Sequence, residues 1–257
     1  MSILNLKDFL NEAVEEYNRP NFIANDPISI PHQFTQKEDI EIIGFLTATI
    51  AWGQRATILK NCKWLIEQMD DAPAMFIRQH EAKDLKPFSK FVHRTFNGVD
   101  CVYFLQALQS LYKHHIGLEE SFHQAYSSTN DLAAAISSWR QTFFNYAPPG
   151  RSVKHFADPL RNSSAKRICM YLRWMVRNDK KGVDFGIWKS ISPAILNAPL
   201  DIHSGRIARS LGLLERKQDD WKAVIELSDN LRLLDPNDPA KYDFALFGIG
   251  VNEKLLF

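Results

Sequence analysis

Cysteine is scarce. Cys62, Cys101 and Cys169 are the only three in 257 residues, odd in number and in no Cys-x-x-Cys arrangement. That argues against a disulfide framework, a zinc site and an iron–sulfur cluster. Each lies among apolar neighbours and reads as core. Long apolar runs are missing too: none approaches the roughly 20 residues of a membrane span. Residues Met1–Asn18 mix Leu and Phe with Asp and Glu, without the basic start and apolar stretch of a signal peptide. A cytoplasmic protein, with no membrane partner, is expected. There is no internal repeat and no low-complexity tract, and alternating strand patterns are scarce. Net charge is +1, so the bulk charge exerts no pull on a polyanion.

What is present is helical periodicity on an ordinary globular composition, 45% hydrophobic and 24% charged. Leu6, Phe9, Leu10, Ala13 and Val14 recur at helical spacing. The stretch Glu38–Ile50 repeats the pattern, and Ile58, Cys62, Leu65, Ile66 and Met69 continue it at i, i+4, i+7, i+8, i+11. Further helices are predicted over Val102–Tyr112, Leu132–Phe144, Ile168–Val176, Ile202–Leu213, Trp221–Leu233 and Tyr242–Ile249. Ile28-Ser29-Ile30, between Pro27 and Pro31, reads as extended linker. Prolines break the pattern over Asn18–Phe34, Asp71–Phe96, Tyr146–Asn162 and Asp235–Pro239. An all-α fold is expected.

Charge is unevenly placed. Arg151–Lys181 holds nine basic residues and two acidic ones, a net of +7, which leaves −6 for the rest. A local basic patch on a neutral chain suits a phosphate-binding face, and equally a solvated helix face. Within it, Ser163 and Ser164 precede an amphipathic run and predict a helix N-cap. That places Lys166 in the first helical turn, where the macrodipole and nearby Arg161 and Arg167 disfavour an ammonium group. Such an amine is suited to nucleophilic work, although an ordinary exposed lysine fits the same pattern. Asp201 directly precedes the helix from Ile202 and is placed to cap it. A carboxylate fixed by backbone amides also stays ionised and rigid, as support of a cationic transition state requires.

At these residues the chain resembles the helix-hairpin-helix DNA glycosylase superfamily. The run KRICMYLRWMVR, followed by APLDIHSGRIARSLGLL, is similar to its signature half. The resemblance implies a two-lobed all-α glycosylase-like fold with a helix-hairpin-helix region. It makes Lys166 the Schiff-base lysine and Asp201, in Leu200-Asp201-Ile202-His203, the catalytic aspartate. His203 would stand behind the pair or in the core. The two catalytic residues are 35 positions apart, about twice the common spacing, and the insertion 178–197 accounts for the excess. The archaeal 8-oxoguanine glycosylase branch has a comparable separation. The whole chain also resembles a bacterial domain-of-unknown-function family near this superfamily.

Two further segments extend the likeness. IIGFLTATIAWGQRATILKNCKWLIEQM resembles the early helix pair whose turn probes DNA, with Gln54 and Arg55 at the turn and Trp52 as a stacking residue or plain core. KYDFALFGIGV resembles the closing helix, where Asp243 and Phe247, four apart, would contact the base. The superfamily hairpin reads Leu-Pro-Gly-Val-Gly-x-Lys. Here it is Leu160-Arg161-Asn162-Ser163-Ser164-Ala165-Lys166, without glycine, so phosphate contact falls to Arg161, Ser163, Ser164 and Arg167. The resemblance implies one glycosylase-like unit over 1–257, with approximate lobes 36–150 and 151–257 and residues 1–35 packed back on the second. It implies a monomeric base-excision-repair glycosylase and AP lyase on an oxidised purine such as 8-oxoguanine. Damaged double-stranded DNA would be the partner, the protein would be nucleoid-associated, and neither metal nor cofactor would be needed. A non-catalytic DNA-binding protein built on the same fold is the alternative.

Overall fold

The computed structural model describes residues 3–114 and 117–252, and these are predominantly helical. Among them are eleven α-helices: α1 (Ile3–Tyr17), α2 (Lys37–Ile50), α3 (Arg55–Glu67), α4 (Pro73–Gln79), α5 (Gly98–His114), α6 (Leu118–Thr129), α7 (Leu132–Phe144), α8 (Lys166–Val176), α9 (Ile202–Ser210), α10 (Trp221–Leu234) and α11 (Tyr242–Asn252). One small hairpin, β1 (Val92–His93) with β2 (Phe96–Asn97), pairs antiparallel in the register His93↔Phe96. The chain is all-α in substance. Nine periodic stretches became helices. The missed helices are α4, only seven residues long and opened by a proline, and α6, twelve residues long with polar residues diluting its apolar repeat.

The chain divides into two compact units, one of residues 25–158 and one of residues 1–24 with 159–257. In the first, α2 is buried at every position from Ile40 to Ile50, as a helix apolar all round must be. Phe45 on that helix meets Phe104, Trp139, Phe143 and Phe156 at ring distances of 5.3–6.2 Å, which sets the core. Helices α6 and α7 form a tight pair. Asn130 closes α6 in the left-handed conformation, φ 48°, and Asp131 caps α7 by accepting from the Ala134 N–H at 2.7 Å. The stretch Ile28-Ser29-Ile30 is not an extended linker. Pro27–Ser29 is a 3-10 turn capped by Asp26, and Ile28 and Ile30 are fully buried. Burying both isoleucines is worth more than leaving them in an extended arm, roughly 1.5–3 kcal/mol each. For the same reason residues 25–35 group with α2 and α3, and only residues up to Ala24 group with the C-terminal helices.

In the second unit α1 packs on α11, and α11 packs on α9. Both contacts depend on glycine. A Cβ at Gly248 would fall within the Tyr17 ring. One at Gly250 would lie 2.9 Å from the His203 carbonyl oxygen, on a helix that Arg206 also ties down by donating to Gly250 O at 2.9 Å. Gly248→Ala should therefore push α1 off α11, at a cost of about 1–3 kcal/mol. A lowered urea midpoint, with faster proteolysis around residues 18–25, is the expected result. An unchanged midpoint would mean that Tyr17 moves aside freely.

Candidate functional site

Helix α8 begins in an unusual way. A 3-10 turn over Pro159–Arg161 leads into two left-handed residues, Asn162 at φ 62° and Ala165 at φ 46°. The N-cap is Ala165, with no side-chain cap bond, whereas the serines were expected to cap. Ser163 Oγ instead accepts from the Ala165 N–H at 3.3 Å, one turn too early. The hairpin is stapled to α10 through Asp220. Asn162 Nδ2 donates to Asp220 Oδ2 at 3.0 Å, and Ser163 forms a backbone bridge to the same residue. Asp220 also caps α10, and hydrogen bonding to the Arg216 guanidinium holds its carboxyl well below the usual range. Left-handed backbone costs a residue with a Cβ about 1–2 kcal/mol, and asparagine bears that cost best. Asn162→Ala, which also loses the bond to Asp220, should destabilise the chain by about 1–2 kcal/mol in chemical denaturation. Asn162→Gly should cost much less.

Lys166 is the first residue of α8, as the sequence predicts, and its Nζ donates to Asp201 Oδ2 at 2.8 Å. Asp201 reaches that position through a capping box. Its Oδ1 accepts from the Ser204 N–H at 2.8 Å, while Ser204 Oγ accepts from the Asp201 N–H at 2.9 Å. One carboxylate oxygen is thus spent on the helix and the other faces the amine. The lysine side chain is 36% exposed and the aspartate 13%. Burial raises the Asp201 carboxyl, but the ion pair with Lys166 and the bonds from Ser204 outweigh it and hold the group below the ordinary aspartate value. Helix cap and charged partner are therefore one residue, and the site pairs an accessible amine with a fixed, ionised carboxylate.

The basic segment is not a continuous surface patch. Lys166, Cys169, Arg173 and Arg177, at i, i+3, i+7 and i+11, form one seam of α8. Arg173 and Arg177 are buried within it. Arg173 Nε donates to Asp184 at 3.2 Å and its Nη1 to Asp243. Arg177 donates to Asp184 at 3.0 Å, to Asp238 at 2.9 Å and to Asp179 at 2.7 Å. Both guanidiniums lie over the Phe244 ring, at 4.2 and 5.4 Å. Lys181 pairs with Glu15, and Arg151 lies 3.5 Å from buried Asp100. A charge count along the chain cannot see these partners, which arrive from as far as 166 residues away. Asp243 is buried. Burial pushes its carboxyl up, Arg173 pulls it down, Asp201 pushes it up again, and the result is about 6.

The remaining expected residues fall as follows. His203 is exposed on the first turn of α9, which rules out the core, and its ring meets Phe247 edge-on at 6.2 Å. Phe247 is half-buried and also meets Phe22. Asp243, one turn before it on α11, is close enough to feel both Lys166 and Asp201. Arg161 is exposed and Ser163 and Ser164 are half-buried in the hairpin. Arg167 is half-buried, and burial lowers its guanidinium to about 10, still charged at neutral pH. In the unit 25–158, Gln54 and Arg55 are exposed at the start of α3. Trp52 is half-buried, with one ring face stacked on His155 at 6.0 Å and its edge against His93 at 5.0 Å. Three residues were missed: Arg173, Arg177 and Asp184. The signal was present, because Tyr171–Val176 is apolar except for Arg173. An arginine inside an apolar-all-round helix must be buried and paired.

The three cysteines are buried. Among the described residues no helix is long and apolar enough to cross a membrane. Nor does any group of three or more His, Cys, Asp or Glu there have the arrangement of a metal site. Chemically, the Lys166–Asp201 pair offers an amine that can form a carbon–nitrogen bond beside a fixed negative charge that favours a cationic product. The family described as "Protein of unknown function (DUF2400)" matches residues 26–252. No curated protein and no solved structure matches the chain.

Proposed function

We propose that this chain, which belongs to the DUF2400 family, is a base-excision DNA glycosylase with AP-lyase activity of the helix-hairpin-helix type, acting on an oxidised purine such as 8-oxoguanine. The observation that carries the reading is the 2.8 Å bond between Lys166 Nζ and Asp201 Oδ2. It joins the two residues that the resemblance assigns to catalysis, 35 positions apart, each at the head of its own helix. The hairpin supports it too. Asn162 takes left-handed backbone, φ 62°, at a position that carries glycine in that superfamily.

In this reading the damaged nucleotide leaves the stack and its base enters a pocket of aromatic and apolar faces. Unprotonated Lys166 attacks C1′. The carbon–nitrogen bond to the sugar forms, and the C1′–base bond breaks with its electron pair leaving on the base. Asp201 stabilises the cationic sugar as that charge develops. Ring opening gives a Schiff base, from which the 3′ phosphate departs by β-elimination. Asp243 and Phe247 would border the base. Gln54 and Arg55, with Trp52 behind them, would probe the duplex. Arg161, Ser163, Ser164 and Arg167 would hold phosphate, so affinity falls as salt rises.

The test is borohydride trapping of the full chain on duplex DNA that carries 8-oxoguanine or an abasic site. A covalent adduct that maps to Lys166 is expected. Binding without an adduct would leave the non-catalytic DNA-binding protein as the better account. Salt-independent failure to bind any duplex would remove the DNA reading altogether.

A further inference from the structure

Exposed positive charge gathers away from α8, in the unit of residues 25–158. There, residues 51–66, 85–99 and 145–157 hold eight Lys and Arg side chains and no Asp or Glu. All eight are exposed. Hydrogen bonds join the three segments. Buried His93 donates from Nε2 to the Trp52 carbonyl at 3.0 Å, which leaves Nδ1 to accept from Asn61 Nδ2 at 2.9 Å. Asn61 Nδ2 also donates to Val92 O at 3.2 Å. Arg151 donates to Thr95 O at 2.8 Å, and Ser152 Oγ to buried Asp100 at 2.8 Å. The hairpin β1–β2 is thus bolted on one side to the turn between α2 and α3. On the other it is bolted to the 3-10 turn Gly150–His155, which carries Arg151. At the hairpin tip stands Arg94. The two-residue turn Arg94-Thr95 has positive φ only at its first residue, 54°, where the backbone favours glycine. The Arg94 side chain lies along Gly53: a Cβ at that glycine would be 3.0 Å from Nη1 and 3.2 Å from Cδ. Arg55 opens α3 two residues further on. Among the described residues Arg94 makes no ion pair.

We propose that this basic face, with Arg94 as its fixed anchor, is a second binding surface for the phosphate backbone of double-stranded DNA. The inference rests on the DNA-binding part of the proposed function and not on its chemistry. That reading puts phosphate on Arg161, Ser163, Ser164 and Arg167, all in the other unit, and gives the hairpin no part. A guanidinium is always charged, and its planar fork matches two phosphate oxygens at once. The bolted hairpin holds the Arg94 backbone in fixed relation to Arg55 and Arg151. Fixed cations suit the regular phosphates of a duplex, whereas the mobile headgroups of a lipid surface need no such anchoring. An arginine at a glycine position costs stability, so what it contributes lies in binding.

The test is fluorescence anisotropy of the full chain on a short undamaged duplex over a range of salt. Arg94→Gly should weaken binding about five- to tenfold at about 0.1 M salt. It should also lower the slope of log affinity against log salt by about 0.9, the signature of one lost phosphate contact. The same variant should melt no lower than wild type, because glycine relieves the left-handed backbone. Weaker binding at undiminished stability is a combination that a merely structural role would not give. Arg94→Lys, which keeps the charge, should keep the slope. Lys83→Ala removes an exposed cation of the same unit that pairs with Glu81 at 3.0 Å, and should leave binding unchanged. Wild-type affinity and slope in Arg94→Gly, or an equal loss in Lys83→Ala, would overturn the inference. So would binding of the wild type to phosphatidylserine vesicles but not to the duplex. Borohydride trapping on abasic DNA runs alongside. Dependence on Arg94 without a Lys166 adduct would sink the glycosylase chemistry and keep this surface. An adduct without dependence on Arg94 would do the reverse.

Discussion

If the proposed glycosylase reading holds, Lys166→Gln is expected to abolish the borohydride-trapped DNA adduct, while Asp201→Asn is expected to keep the adduct but slow its formation by about 10²- to 10³-fold. The asymmetry follows from the division of Asp201 between two tasks. In the proposed mechanism the lysine supplies the nitrogen of the covalent bond, so glutamine leaves nothing to trap. The aspartate supplies charge. Asparagine caps a helix about as well, so the capping box with Ser204 survives, and only the fixed negative charge is lost. Neither variant should lose much stability. The ion pair is one-third exposed on the lysine side, and such pairs contribute at most about 1 kcal/mol. Matching melting curves with divergent trapping rates would assign both residues to chemistry. If Asp201→Asn trapped at the wild-type rate, the residue would be a cap and nothing more. If Lys166→Gln still formed an adduct, another amine would be the nucleophile.

The largest stability effect should come from Arg177, which is 2% exposed and bonded to Asp179, Asp184 and Asp238. Arg177→Met leaves those carboxylates without their shared cation. Removing one partner of a buried ionic cluster costs about 3–5 kcal/mol, because the remaining charges stay out of water. In a chain of this length that corresponds to a fall of about 10 °C in the thermal transition. Arg177→Lys should restore little of it, since a single ammonium cannot replace a planar fork that reaches three acceptors. Differential scanning calorimetry of the two variants checks this. A loss under about 1 kcal/mol would show that water reaches the cluster and screens it. The same measurement on Arg206→Ala, which removes one bond to Gly250 O from an exposed side chain, sets the scale for an ordinary lost hydrogen bond.

Helices were legible wherever an apolar stripe ran three turns or more, and Leu132–Phe144 matches α7 residue for residue. The head of α9 was legible as well, because cap chemistry is local and Asp201 caps as its neighbours require; at α8 the start near Lys166 was legible but the cap was not, since Ala165 stands where a serine was expected. Other features were hidden for two reasons. Backbone conformation at Asn162 and Ala165 is imposed by what the hairpin is tied to, namely Asp220, more than 50 residues on. Burial of charge is decided by partners that a linear reading cannot pair. Arg173 and Arg177 look like members of a basic patch until Asp184, Asp238 and Asp243 arrive around them. His203 shows the converse: its backbone and Cβ lie against α11 at Gly250, yet the residue is exposed rather than core.

The pairing of α1 with α11 also orders events during synthesis. The unit of residues 25–158 is one unbroken stretch and can close as soon as its last residue leaves the ribosome. The other unit cannot. Its first helix is made early and its matching surface, with Gly248, is made more than 200 residues later, so α1 must wait with Leu10, Ala13 and Val14 uncovered. Lys166, Asp201 and Asp243 all belong to this late-closing unit. A ribosome-bound chain would therefore hold a folded helical body long before it holds the amine and its carboxylate in register, and any stall in between would leave an apolar helix for a chaperone to guard.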